Sequence, residues 1–192
     1  MESKKVIRIG LDFDGVVTYN PMRVLRLVVS FTKHKIIKVK KLGFFKPKSS
    51  WQRWIYYLGI VAPSFYPARG VRLLKKMANI PKYEFYLITG RYGFTKYLTH
   101  NWLKKYQLLE VFKKIYLNEN DEQPHKFKLR IINQHHFDFL VEDNFDIVRD
   151  LNEQGAKTRI LWIYNILESW RNYPDRFPHL ERALEKINES NV

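Results

Sequence analysis

The chain has 192 residues, 45% of them hydrophobic, with 34 Lys and Arg against 19 Asp and Glu and a formal net charge of +15. That length supports one domain of ordinary size with a real core. With no cysteine in the chain, disulfides, a thiolate zinc site and a cysteine nucleophile are excluded. The excess charge is local: Gly15 to Tyr83 contains fifteen basic residues and no acidic one, while the other 19 basic residues balance the 19 acids. An anionic partner is expected for that segment. Met1-Glu2-Ser3-Lys4-Lys5 does not read as a signal peptide, and no apolar run approaches the ~20 residues of a spanning helix. A soluble, cytoplasmic protein is expected.

In chain order, Val6–Phe13 reads as a first buried strand. A long segment follows, with helices predicted at Pro21–Lys33, Ser50–Val61 and Pro67–Ala78 and a Lys-rich turn region between the first two. The apolar stripes Val24, Leu25, Leu27, Val28, Val29, Phe31 and Trp54, Ile55, Leu58, Ile60 are expected to bury against the core. A second strand is predicted at Glu84–Thr89, closed by Gly90. Helical spacing then runs from Tyr92 to Leu108, with Tyr97, Leu98, Trp102 and Leu108 on or near one face. Val111–Leu117 is a third strand, Phe127–Gln134 a helix and Phe137–Val141 a fourth strand. Ile147–Gln154 is a helix stopped by Gly155, Thr158–Tyr164 a fifth strand, and Pro178–Asn188 a final helix. Alternation of this kind predicts an α/β fold: a doubly wound, mainly parallel, five-stranded Rossmann-like sheet. The basic segment is expected to be a helical, cap-like insertion, with residues 1–18 and 81–192 forming the core and 19–80 the insertion.

The most telling run is Asp12-Phe13-Asp14-Gly15-Val16-Val17-Thr18. Two carboxylates two residues apart leave the first strand on one side, at the end where open α/β sheets bind ligands. Their mutual repulsion invites a cation and phosphoryl chemistry. His135-His136 lacks zinc spacing, and adjacent histidines point apart on a helix, so that pair reads as surface.

These elements carry four motifs in order: Asp12 to Thr18, Leu87-Ile88-Thr89-Gly90-Arg91, a lysine at a helix start, and Val141-Glu142-Asp143-Asn144. The set resembles the haloacid dehalogenase-like superfamily of phosphohydrolases. The resemblance implies Asp12 as nucleophile, forming an aspartyl-phosphate, and Asp14 as general acid and then base. It implies Mg2+ held by Asp12, the Asp14 backbone carbonyl and Asp143, with Glu142 supporting the metal's outer shell. Thr89 and Gly90 would hold phosphate oxygens, with a lysine neutralising charge. Lys126 and Lys128 both suit that role by position, and the spacing favours Lys128.

The family often carries a substrate-selecting cap after its first strand, where the basic segment lies. The expected activity is a magnesium-dependent phosphomonoester hydrolase acting on a phosphorylated small molecule. Because the Glu-Asp-Asn form of the fourth motif resembles deoxyribonucleotidase-like members, a nucleotide or other multiply charged phosphomonoester is the expected substrate. The alternatives are a phosphatase of nucleic-acid ends, with residues 23–76 on the polymer, and a polyanion- or membrane-surface-binding protein.

Overall fold

The computed structural model describes residues 6–21 and 43–190. The predicted helix from Pro21 and the Lys-rich turn region fall largely outside them. One parallel sheet organises the described chain. Its strands are β1 (Ile7–Leu11), β4 (Tyr83–Tyr92), β5 (Lys114–Asn118), β6 (Phe139–Glu142), β7 (Arg159–Ile163) and β8 (Arg176–Phe177), in the order β5-β4-β1-β6-β7-β8. The five predicted strands are all present. The sixth, β8, is two residues long, too short to leave a periodic signal in sequence. A separate antiparallel pair joins β2 (Thr18–Tyr19) to β3 (Tyr66–Pro67).

The helices are α1 (Ser50–Tyr56), α2 (Val71–Ala78), α3 (Lys96–Lys105), α4 (Pro124–His135), α5 (Phe145–Glu153) and α6 (Leu180–Glu189). Sheet side chains alternate between two cores. On one face Ile7, Ile9 and Leu11 pack with Val71, Leu74 and Met77 of α2, Leu103 of α3 and Leu184 and Ile187 of α6. On the other, Ile88, Leu140 and Trp162 pack with Phe127, Ile131 and Ile132 of α4 and Ile147, Val148 and Leu151 of α5. Gly10 points to this second face. A Cβ there would lie 2.7 Å from Ile88 Cδ1 and 3.2 Å from Leu140 Cδ1, so the central strand leaves room for its two neighbours. The helix α2 belongs to this main core, although it falls in the stretch expected as an insertion.

Three local expectations are corrected. Tyr97 and Leu98 are exposed, and α3 buries Thr99 and Leu103 instead, because Thr99 faces Arg91 and Trp102 packs edge-on against Phe13. β4 continues past Thr89 through Gly90 and Arg91, with a shift in its pairing to β5 between Thr89 and Tyr92. The third correction concerns α1. Trp54, Ile55 and Leu58 are 63%, 49% and 44% exposed. The helix buries Tyr56 on its other side, against Tyr92 and Phe94.

The chain winds outward from β1 to β4 and β5, then returns to β6 on the opposite side of β1. The carboxyl end of β1 is therefore a topological switch point, where the flanking connections diverge and leave a crevice.

Candidate active site

At that crevice β1 delivers Asp12, whose backbone N–H donates to Val141 O of β6 at 2.9 Å. β6 ends in Glu142, and Asp143 follows it directly. One carboxylate oxygen from each of Asp12, Glu142 and Asp143 lies within 4.8 Å of the others, and all three residues are buried. The first turns of α4 supply Lys128, also buried, whose Nζ reaches Asp12 Oδ1 at 2.8 Å and Glu142 Oε2 at 2.5 Å. Lys126, the other lysine considered from sequence, is exposed. Glu142 uses its second oxygen as well, accepting the Asn144 N–H at 3.0 Å. That leaves Asp12 and Asp143 better placed than Glu142 to ligate a cation.

The electrostatics follow from burial. One ammonium is shared by two carboxylates, with a third alongside. Burial pushes the Asp12 carboxyl up to about 8, with Lys128 opposing and Glu142, Asp143 and Asp14 reinforcing the rise. Glu142 is raised by burial too, against the pull of Lys128. Burial alone would lower Lys128, but Asp12 and Glu142 outweigh it and hold the ammonium above its ordinary range. A pocket of hard oxygen donors with more negative charge than its lysine offsets suits a divalent cation such as Mg2+.

Asp14 has a separate cation. Arg91 donates from Nε to Asp14 Oδ2 and from Nη2 to Oδ1, each at 2.7 Å. The guanidinium is buried and lies 4.6 Å over the Phe13 ring. Ser64 adds a third bond, its hydroxyl donating to Asp14 Oδ1 at 2.7 Å. Asn20 Nδ2 donates to Ser64 Oγ at 3.1 Å and to the Ile60 carbonyl at 3.0 Å. The Ile60 carbonyl belongs to a π-turn, Tyr57–Val61, that continues α1; such turns often sit at functional sites. Part of the segment between β1 and β4 thus reaches a core carboxylate.

Of the phosphate-site candidates, Thr89 is buried, its Oγ1 accepting the Arg91 N–H at 3.2 Å, and Gly90 lies against Pro124 at the start of α4. Gly15, at φ +82°, brings the loop after β1 against β6: a Cβ there would fall 2.2 Å from Asp143 Oδ2. The structure therefore gathers Asp12, Asp14, Lys128, Glu142 and Asp143 at one sheet end, with Thr89 and Gly90 on the adjoining strand. His135 stacks near Tyr116, well outside this group.

Sequence reasoning assigned no role to Arg91, Ser64 or Asn20. Arg91 was visible beside the Thr-Gly pair, but nothing local pairs it with a carboxylate 77 positions away. Ser64 and Asn20 are short polar residues near turns, where capping is their ordinary use.

No family model matches the chain, and no curated protein matches it. Solved structures do. A haloacid dehalogenase-like family hydrolase from Streptococcus pneumoniae superimposes with a TM-score of 0.58 at 14% identity, covering 96% of this chain and 98% of that one. YfnB from Bacillus subtilis, named as a HAD-hydrolase and bound to magnesium, gives 0.62 at 12% identity, over 96% and 100%. CbbY from Rhodobacter sphaeroides, in complex with phosphate, gives 0.57 at 11%, over 92% and 95%. The fold is that of the haloacid dehalogenase-like hydrolases.

Proposed function

We propose that the protein is a magnesium-dependent phosphomonoester hydrolase that works through an aspartyl-phosphate on Asp12. The observation that carries this reading is the buried cluster of Asp12, Glu142 and Asp143 around Lys128, with Asp14 held apart on Arg91. Asp12 must be ionised to attack, a form that Lys128 favours against burial and that a bound cation would favour further.

Asp12 attacks phosphorus and the bond to the leaving oxygen breaks; Asp14 passes its proton to that oxygen. Water then attacks the phosphorus of the acyl phosphate and gives a proton to Asp14, which frees phosphate and restores Asp12. Lys128 balances charge on the phosphoryl oxygens and on Asp12, while Glu142 fixes the ammonium in place. Thr89 and the Gly90 N–H orient phosphate oxygens. Mg2+, held by Asp12, the Asp14 carbonyl and Asp143, would screen the repulsion between carboxylate and phosphate and orient the group.

Of residues 19–80, the part before α2 is proposed as the substrate-selecting cover, and the Ser64–Asp14 bond supports this. A nucleotide or another multiply charged phosphomonoester fits the acid-free, basic character of that segment. The YfnB and CbbY structures, one with magnesium and one with phosphate, agree with the reading. Turnover of an aryl phosphate should require Mg2+ and vanish in Asp12→Asn. Undiminished turnover in that variant would overturn the mechanism. A panel of nucleotides and sugar phosphates would then identify the substrate class.

A further inference from the structure

The helix α1 wears its apolar stripe on the outside. Trp51, Trp54, Ile55 and Leu58 fall at positions i, i+3, i+4 and i+7, the spacing of one helical face. They are 63%, 63%, 49% and 44% exposed. The opposite side of the helix holds Tyr56 in its ring cluster with Tyr92 and Phe94, and Arg53 lies over the Phe94 ring. The orientation is thus anchored, and the stripe is not a core face that has turned away. Tyr19 and Tyr66 of the β2–β3 pair are exposed as well. A contiguous apolar stripe of this kind marks a binding surface.

Charge selects the partner. The stripe sits within the acid-free stretch from Gly15 to Tyr83, and the exposed Lys46 and Lys48 precede it in sequence. The partner is therefore anionic and also offers an apolar interior. Ile55 and Leu58 have no stacking face for a nucleobase, whereas tryptophans beside aliphatic side chains suit the boundary between headgroups and acyl chains. In sequence, the preceding residues 24–42 interleave lysines with Val, Leu and Ile far more than with aromatics.

We propose that α1 and its π-turn dock the enzyme on an anionic lipid bilayer, with Trp51, Trp54, Ile55 and Leu58 entering the interface. No helix among the described residues is long and apolar enough to cross a membrane; the contact proposed is a surface one. It goes beyond the catalytic reading and does not depend on it.

The chain has no cysteine, so Leu58→Cys in this 192-residue chain takes a single environment-sensitive label. Vesicles of phosphatidylcholine with about a third phosphatidylglycerol should shift the label to shorter wavelength and pellet the protein. Neutral vesicles should not, and added salt should weaken the effect. Trp54→Glu should lower vesicle affinity roughly tenfold or more, with the far-ultraviolet circular dichroism of the chain unchanged. Asp12→Asn should bind vesicles like the parent, which separates this test from that of the catalytic reading. Three results would overturn the proposal: no partition onto anionic vesicles, a label shifted by single-stranded oligonucleotide but not by lipid, or a label already shielded without vesicles. The last would mean that residues 22–42 or a second copy cover the stripe.

Discussion

Arg91 shows what one buried side chain settles. A guanidinium removed from water is costly unless its charge and donors are matched, and here both needs are met by the two oxygens of Asp14. The fork fixes where those oxygens point, which matters for the proposed role of Asp14 as proton donor to one particular atom. Arg91→Ala should therefore lower turnover of an alkyl phosphomonoester about 100-fold. Dinitrophenyl phosphate, whose leaving group needs no proton, should be affected much less. Equal losses on both substrates would mean that Arg91 only supports the fold. Arg91→Lys should rescue little, because an ammonium cannot form the fork.

Elements bring these residues together through small departures from regularity. The shift in β4 pairing after Thr89 re-aims the strand end, as bulges do, and places Arg91 toward Asp14. The helix α4 starts at Pro124, a residue favoured at first helical positions, and its opening turns carry Lys128 to the carboxylates. The loop after β1 closes on β6 only because residue 15 has no side chain. Gly15→Ala would meet the Asp143 carboxylate and strain a left-handed backbone. A stability loss of about 1–3 kcal/mol is expected, read by urea titration, together with weaker Mg2+ binding by calorimetry. The strands and most helices were legible because their apolar periodicity is strong. The site carboxylates were legible because they terminate strands. The pairing shift was not, since two extra residues in a ladder have no compositional mark. The outward stripe of α1 was misread for a related reason: periodicity shows that a helix has an apolar face, not what meets it.

At the scale of the molecule, the concentration of buried carboxylates ties stability to pH. Burial raises Asp12 from an ordinary value of 3.8 to about 8, so between those values the folded chain keeps a proton that the unfolded chain releases. Folding is then opposed increasingly as pH rises. Glu142 is shifted in the same direction. The raised Lys128 keeps its charge throughout this window and does not reverse the sign. In chelator, the melting temperature should fall from about pH 4 to about pH 8; Asp12→Asn should flatten that profile, and Mg2+ should raise the parent's stability most at the upper end.

By itself the sequence determined the alternation of strands and helices, the acidic residues at the ends of β1 and β6, and the confinement of the excess positive charge to one segment. All of these are local, written in periodicity and residue type along the chain. Only the tertiary structure decided that Lys128 rather than Lys126 meets Asp12, that Arg91 and Ser64 clamp Asp14, and that α1 turns its apolar stripe outward. Each of these joins side chains far apart in sequence or compares two faces of one helix. Such choices follow from which groups must be matched once buried, and burial exists only after the sheet has assembled.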